Sequence, residues 1–191
     1  MNTVFLDRDG VINRNRDNDY VKSWSEFEFL PNSLEAIRLL THAGYKLIVV
    51  TNQACINKGI LSPKALNEIH RKMMAEIEVA GGCIHAVYYC PHRDDENCTC
   101  RKPKPGMLVR AASEHEIDKD NTYLIGDSNR DIQAGNAFGV RSLLVLTGNG
   151  YISNLTNDGS GAPSMQPHQV FADLYAAAEW IVSSGDITIR N

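Results

Sequence analysis

Short apolar runs alternate with longer stretches of helical periodicity along most of the chain. The apolar runs predict strands over residues 3–6, 46–50, 84–89, 121–125 and 141–146, with a last strand near 170–171. Apolar positions three or four residues apart predict helices over 31–43, 63–80, 105–115, 129–138 and 174–182. Strands that alternate with helices in this way are typical of a parallel sheet covered on both faces. We therefore predict an α/β fold with a doubly wound, Rossmann-like parallel sheet.

The rest of the pattern predicts one domain over residues 1–191, because neither an internal repeat nor a second-domain boundary is visible. Residues 148 to about 167 are rich in Gly, Asn and Ser, which predicts a surface loop. No apolar run approaches the roughly 20 residues that span a bilayer. The first residues lack the basic and apolar segments of a secretory signal. We expect a cytoplasmic monomer.

Composition excludes some classes of partner. The formal charge of −4 comes from 23 acidic and 19 basic residues, which gives no basic footprint for nucleic acid or for a membrane surface. Hydrophobic residues make up 43% of the chain and charged residues 22%, an ordinary balance for a globular protein. We therefore expect neither nucleic acid nor a membrane surface as a partner.

Polar side chains follow three of the predicted strands directly. Asp7 and Asp9 follow the first strand, Thr51 follows the second, and Asp127 follows the fourth. Because the carboxyl ends of the strands line one crevice in a doubly wound sheet, we expect these groups to converge. Gathered carboxylates repel each other unless a cation lies between them, and oxygen ligands suit Mg²⁺. The pattern predicts a magnesium site on Asp7 and Asp127.

The spacing of Asp7 and Asp9 indicates phosphoryl transfer in two steps. Asp7 would attack phosphorus and form an aspartyl-phosphate, while Asp9 would protonate the leaving alkoxide and later accept a proton from water. The Thr51 hydroxyl and Lys102 would neutralise charge on the transferring group. Arg101 offers a fork suited to a second phosphate or to sugar hydroxyls. A substrate with two phosphates would use both Lys102 and Arg101.

A second group of ligands lies in a polar loop. Cys90, His92, Cys98 and Cys100 provide three thiolates and one imidazole within eleven residues. Such a set completes a tetrahedral Zn²⁺ site and leaves no position for water, so the zinc would be structural. Cys55 and Cys83 fall outside this group, and the remaining histidines show no shared spacing.

Four motifs resemble those of the haloacid dehalogenase-like phosphatases, and within them the D-glycero-D-manno-heptose-1,7-bisphosphate 7-phosphatases. The motifs lie at residues 7–13 (DRDGVIN), 51–53 (TNQ), 101–107 (RKPKPGM) and 126–131 (GDSNRD). The resemblance covers residues 3 to 183. It implies no large cap domain, a zinc-binding loop and a small phosphorylated sugar as substrate.

The resemblance also implies residue roles. Asp7 would be the nucleophile and Asp9 the general acid and base, with Mg²⁺ held by Asp7, the backbone carbonyl of Asp9 and Asp127. The remaining implied roles are phosphoryl binding by Thr51 and Lys102, zinc binding by Cys90, His92, Cys98 and Cys100, and substrate binding by Asp17, Asn18, Asp19, Tyr20, Asn52, Gln53 and Arg101.

Two departures from the family pattern carry expectations of their own. Cys55 stands where these phosphatases usually have Gly, so it would be strained if that position required a positive φ. Ser128 stands where some of them have Lys, which would remove one contact to phosphate.

Alternative functions remain open at this point. Histidinol-phosphate phosphatases share the motifs and a similar zinc loop. Polynucleotide 3′-phosphatases share the nucleophile and the Thr-Asn-Gln turn, although the acidic balance of this chain disfavours them. From a different class, the chain could be a zinc-stabilised binding module whose catalytic site is dead.

Overall fold

A computed structural model describes residues 2–16, 19–148 and 166–185. Its strands are β1 (Thr3–Leu6), β2 (Lys46–Asn52), β3 (Ala86–Cys90), β4 (Thr122–Gly126), β5 (Arg141–Val145) and β6 (Gln169–Phe171). Its α-helices are α1 (Ser33–His42), α2 (Pro63–Val79), α3 (Gly106–Glu114), α4 (Asn129–Phe138) and α5 (Leu174–Gly185). Short 3₁₀ helices occur at Trp24–Glu26, Asp94–Glu96 and Lys119–Asn121. Most of the predicted loop at 148–167 lies outside the described residues.

The strands form a parallel sheet in the order β3-β2-β1-β4-β5-β6. The chain first adds strands on one side of β1 and then, from β4 onwards, on the other side. This confirms the predicted doubly wound sheet. The point where the order reverses lies between β1 and β4, and ligands bind at such a point in open α/β sheets.

The sheet is buried on both faces because its strands are apolar at successive positions. Val4 and Leu6 of β1 pack into one core cluster together with residues of α1, α2 and α5. Phe5, between them, packs into a second cluster on the opposite face with residues of α3 and α4. Side chains alternate between the faces of a strand, so a continuous apolar run supplies both cores. The prediction of helices on both faces is confirmed.

Several element boundaries differ from the sequence prediction, and two of the differences have a clear structural cause. Helix α1 begins at Ser33 rather than at Pro31, because Asn32 has a left-handed φ of 61° and cannot belong to the helix. Strand β2 extends two residues beyond Val50, since Thr51 and Asn52 pair with Tyr89 and Cys90 of β3. The Thr-Asn pair therefore closes the strand rather than following it.

None of the described helices combines the length and the apolarity needed to cross a membrane.

Candidate active site

Asp7 and Asp127 meet because β1 and β4 are hydrogen-bonded neighbours in register. Leu6 pairs with Ile125, and the amide of Asp7 donates to the carbonyl of Ile125 at 2.9 Å. The two carboxylates leave the sheet at the same edge, and both residues are less than one-tenth exposed. The convergence predicted from the strand ends is what the structure shows.

Asp131 supplies a third carboxylate, which the sequence analysis did not single out. Carboxylate oxygens of Asp7, Asp127 and Asp131 lie within 4.8 Å of one another. Asp131 belongs to the first turn of α4 and is fully buried. The amide and hydroxyl of Ser128 donate to its Oδ2 at 3.2 and 2.6 Å, which completes a capping box and fixes the carboxylate.

Lys102 brings a buried positive charge to this group. Its Nζ lies 2.9 Å from Oδ1 of Asp7 and 2.5 Å from Oδ1 of Asp131, and it also donates to the carbonyl of Val50 at 2.8 Å. The side chain of Asn52 accepts from the Lys102 amide at 3.1 Å and donates to its carbonyl at 3.0 Å. The end of β2 thereby holds the lysine in place.

The balance of charge in the cluster favours a cation. Burial raises the pKa of Asp7 to about 8; Lys102 opposes this shift, and Asp131 and Asp127 add to it. Burial alone would lower the pKa of Lys102, but Asp131 and Asp7 outweigh it, so the lysine stays charged. When all three carboxylates are ionised, the single ammonium leaves an excess of two negative charges. A divalent cation would balance that excess and favour the ionised form of Asp7.

Gly10 leaves the space that Asp127 occupies. Its φ of 84° lies in the left-handed region, and a Cβ at this position would come within 2.3 Å of the Asp127 carboxylate. Only glycine allows both this backbone conformation and this approach. The turn after Asp9 is therefore shaped around the Asp127 side chain.

Asp9 is held by several donors. Nη2 of Arg8 donates to its two oxygens at 2.8 and 2.9 Å, Asn13 Nδ2 donates at 2.9 Å, and Gln53 Nε2 donates at 2.8 Å. Burial by itself would raise the pKa of Asp9, but the charge of Arg8 and the hydrogen bonds lower it below its usual value. Asp9 is therefore an ionised carboxylate whose orientation these donors fix.

Thr51 and Asn52 at the end of β2, and Gln53 after it, bind other side chains and backbone groups of the protein. The Thr51 hydroxyl is buried and accepts from Gln53 Nε2 at 2.9 Å. Asn52 brackets Lys102, and Gln53 joins Thr51 to Asp9. The contacts of Asn52 and Gln53 orient catalytic candidates, and direct substrate binding by these two residues stays a prediction.

The four predicted zinc ligands form a cluster. The Sγ atoms of Cys90 and Cys98, and those of Cys98 and Cys100, are 3.6 Å apart, while those of Cys90 and Cys100 are 3.1 Å apart. Nδ1 of His92 lies 3.5 Å from Cys90 Sγ and 3.3 Å from Cys100 Sγ. Thiolates about 2.3 Å from a tetrahedral zinc ion would be about 3.8 Å apart, so the cluster needs little adjustment to hold one.

Arg101 lies beside this cluster and shares an acidic partner with a second arginine. It donates to Asp94 and, through Nη1, to the carbonyl of His92 at 3.2 Å. Arg130, in the first turn of α4, approaches both oxygens of Asp94 at 3.2 Å. Asp94 thus links the cysteine loop to the helix that carries Asp131.

The predicted sugar-contacting segment is described only in part, because Asp17 and Asn18 lie outside the described residues. Asp19 accepts from Lys22 Nζ at 2.6 Å. The Tyr20 hydroxyl accepts from Lys58 Nζ at 3.0 Å, and the same ammonium lies 5.4 Å from the centre of the tyrosine ring. A role for this segment in substrate binding stays a prediction.

Cys55 and Ser128 are the two positions at which the chain departs from the family pattern. Among the described residues, positive φ values outside glycine occur only at Asn32 and Asn97, so the condition for strain at Cys55 is not met. The buried Cys55 instead places its thiol 3.5 Å from Oε1 of Gln53. Ser128 positions Asp131, whereas the predicted loss of a phosphate contact is untested.

Sequence reasoning missed several buried participants. Asp131 could have been found as the acidic residue of a Ser-x-x-Asp capping box, but this signal indicates a helix start and no more. Arg8 and Asn13 stand inside a quoted motif without an assigned role, and His70 showed no spacing signal at all. The contacts of Arg8 and Asn13 with Asp9 are local, whereas the contact between His70 and Arg8 depends on how α2 packs against the turn after β1.

Replacing Asp131 by asparagine should destabilise the protein. The substitution takes one of two carboxylates away from the buried Lys102, and losing a hydrogen bond between charged groups costs roughly 2 kcal/mol. Urea denaturation of D131N against wild type measures the loss. D95N, which removes an exposed ion pair with Arg93, is the matched control and should change little. Equal stability of D131N and wild type would contradict the interpretation of this pair.

Family models and individual proteins match the chain. A model described as haloacid dehalogenase-like hydrolase matches residues 11–136, and a HAD-hydrolase-like model matches residues 99–177. The D-glycero-beta-D-manno-heptose-1,7-bisphosphate 7-phosphatase of Neisseria meningitidis is 42% identical over 182 residues, covering 95% of each chain. The enzyme of that name from Bordetella bronchiseptica is 40% identical, covering 95% of this chain and 98% of its own.

Solved structures agree with these relatives. The crystal structure of D,D-heptose 1,7-bisphosphate phosphatase from B. bronchiseptica, complexed with magnesium and phosphate, superposes with a TM-score of 0.86 at 39% identity, covering 96% of this chain and 99% of that one. The corresponding Burkholderia thailandensis structure gives a TM-score of 0.70 at 38% identity over the same shares. The chain therefore belongs to the haloacid dehalogenase-like hydrolases and, within them, to the D-glycero-D-manno-heptose-1,7-bisphosphate 7-phosphatase family.

Proposed function

We propose that this protein is a phosphatase that hydrolyses the C7 phosphate of D-glycero-D-manno-heptose 1,7-bisphosphate through an aspartyl-phosphate on Asp7. The observation that carries the proposal is the buried cluster of Asp7, Asp127 and Asp131 with Lys102 Nζ 2.9 Å from the Asp7 carboxylate. Relatives that bear the heptose name and match almost the whole chain support the choice of substrate.

The carboxylate cluster suits a magnesium ion. Asp7 and Asp127 would hold it, together with the backbone carbonyl of Asp9, and Asp131 lies close enough to support the site. Oxygen donors and excess negative charge are what Mg²⁺ requires. When bound, the ion supplies neutralisation of charge on the phosphoryl oxygens. The B. bronchiseptica relative, whose structure contains magnesium and phosphate, supports this assignment.

In the first step, an Asp7 oxygen attacks phosphorus and the bond between phosphorus and the C7 oxygen of the sugar breaks. Asp9 gives its proton to the departing oxygen. Arrival of a phosphate dianion beside Asp9 favours its protonated form, because a nearby negative charge raises the pKa of a carboxyl group. Lys102 and the Thr51 hydroxyl hold the phosphoryl group during transfer.

In the second step, water attacks the aspartyl-phosphate and gives a proton to Asp9. Phosphate leaves, and Asp7 returns to its starting state. The donors from Arg8, Asn13 and Gln53 hold the Asp9 carboxylate in a fixed orientation, as a general base requires.

The second phosphate of the substrate would bind to Arg101 and Arg130. Both arginines point to Asp94 between the cysteine loop and the start of α4, so a carboxylate already occupies a position suited to an anion. Arginine forks bind phosphate as they bind carboxylate. This arrangement would favour a sugar bisphosphate over a monophosphate.

The cysteine cluster would hold a structural zinc ion on Cys90, His92, Cys98 and Cys100. The loop between these ligands is polar, and it leads directly to Lys102. A metal would fix a loop that has little apolar surface of its own to bury.

Asp7→Asn should abolish phosphate release, because the amide cannot form the aspartyl-phosphate. The experiment compares wild type and D7N on heptose 1,7-bisphosphate, histidinol phosphate and a 3′-phosphorylated oligonucleotide, each with Mg²⁺. We expect the highest kcat/KM on the heptose bisphosphate and loss of all activity in D7N. Preference for histidinol phosphate would favour that alternative, and an inactive wild type would favour a binding module.

Cys98→Ser should remove zinc and lower the melting temperature. Losing one ligand of a structural site should cost at least about 2 kcal/mol, which is roughly 4–8 °C for a chain of this size. Cys83→Ser is the matched control, because Cys83 is exposed and lies outside the cluster. Zinc content by atomic absorption and thermal melting measure the effect. Wild-type protein without bound zinc, or C98S that melts like C83S, would contradict the assignment.

Removing either arginine of the pair Arg101 and Arg130 should weaken the binding of bisphosphate substrates only. Arg101→Ala and Arg130→Ala should each raise KM for heptose 1,7-bisphosphate by roughly tenfold while changing KM for heptose 7-phosphate much less. Arg110→Ala is the matched control, since Arg110 pairs with Glu114 on α3 and belongs neither to the arginine pair nor to the carboxylate cluster. Equal effects on the bisphosphate and the monophosphate would contradict the second subsite.

A further inference from the structure

Arg8 is a fully buried arginine whose contacts connect Asp9 to helix α2. Its Nη2 donates to both oxygens of Asp9, and its Nη1 lies 3.0 Å from Nε2 of His70. A guanidinium that cannot reach water needs partners for its N–H groups. The guanidinium is therefore held from two directions, by the carboxylate on one side and by the imidazole on the other.

The contact with Arg8 determines the state of His70. Arginine has only donors, so Nε2 of His70 must be the unprotonated acceptor and the ring is neutral with its proton on Nδ1. Burial, with a further contribution from the Arg8 charge, lowers the pKa of His70 to about 3, which agrees with this assignment. His70 is only 5% exposed and stands among the buried residues of α2.

We infer that His70 is a positioning residue of the reaction, acting through Arg8 to hold the carboxylate of Asp9 in its working orientation. The inference rests on the proposed function, because it assumes that Asp9 is the general acid and base. The chain of contacts is direct, from His70 Nε2 to Arg8 Nη1 and from Arg8 Nη2 to both oxygens of Asp9.

The geometry explains why the orientation of Asp9 would depend on His70. Arg8 is the partner that contacts both carboxylate oxygens of Asp9, whereas Asn13 and Gln53 each contact one. Without an acceptor for Nη1, the buried guanidinium would have to turn to find another partner. Asp9 would then lose its two-point contact. A general acid that is displaced slows chemistry more than it weakens substrate binding.

Three substitutions at position 70 separate the hydrogen bond from packing. His70→Leu removes the acceptor but fills space. His70→Gln places an amide oxygen close to the position of Nε2, whereas His70→Asn places its oxygen near that of Nδ1 and cannot reach Arg8. We expect H70L and H70N to lower kcat roughly tenfold or more. H70Q should recover kcat to within about threefold of wild type, and KM should change little in all three.

Met73→Ala controls for damage to the helix. Met73 lies one turn further along α2 and packs in the apolar core, so its truncation lowers the melting temperature without removing a donor or acceptor. M73A should keep its kcat at a temperature well below its melting point. A fall in kcat for M73A as large as that for H70L would overturn the inference, because the effect would then be general to α2.

A double-mutant cycle tests the route through Asp9. In the Asp9→Asn background the contribution of His70 has nothing left to act on, so adding H70L should lower kcat no further. An additional tenfold loss in D9N/H70L would overturn the inference, as would wild-type kcat in H70L or failure of H70Q to exceed H70N.

Wild-type activity on heptose 1,7-bisphosphate separates a failure of the proposed function from a failure of the role of His70. If wild type is inactive on every phosphomonoester, the proposed function and this inference fall together. If wild type is active and H70L equals it, only the role of His70 is refuted.

Discussion

The site depends on one constraint, which is that three carboxylates are buried together with a single ammonium group. The adjacency of β1 and β4 forces Asp7 and Asp127 to the same edge of the sheet, and Asp131 follows from the first turn of α4. Burial makes their mutual repulsion costly, and Lys102 offsets only part of it. A site arranged in this way favours a divalent cation, and a bound cation would in turn favour a phosphate group.

Several contacts around the sheet hold the loop that carries Lys102. The lysine comes from the long connection between β3 and α3, a segment with few apolar residues to anchor it. Its backbone is held by Asn52 at the end of β2, and the cysteine cluster holds the preceding residues. Asp94 then joins this connection to α4 through Arg130. Each contact fixes a loop to a rigid element, which is how a precise site is built on irregular backbone.

The sequence predicted the sheet, the helices on both faces and the meeting of Asp7 with Asp127, because these follow from periodicity and from the rule for strand ends. The predicted start of α1 was wrong by two residues, since nothing in the sequence indicates that Asn32 has a left-handed backbone conformation. The contact between His70 and Arg8 could not be predicted, because the two residues are 62 positions apart in sequence and meet only through the packing of α2. Likewise, a capping signal gave no hint that Asp131 would contact Lys102.

Anomalous diffraction from crystals grown with Mn²⁺ in place of Mg²⁺ would show where the divalent cation binds. We expect a strong anomalous peak within bonding distance of both the Asp7 and the Asp127 carboxylates, separate from any peak at the cysteine cluster, and its disappearance in Asp127→Asn. Active protein whose crystals show no peak between these two side chains, or show it elsewhere, would contradict the claim that the cluster is the catalytic metal site.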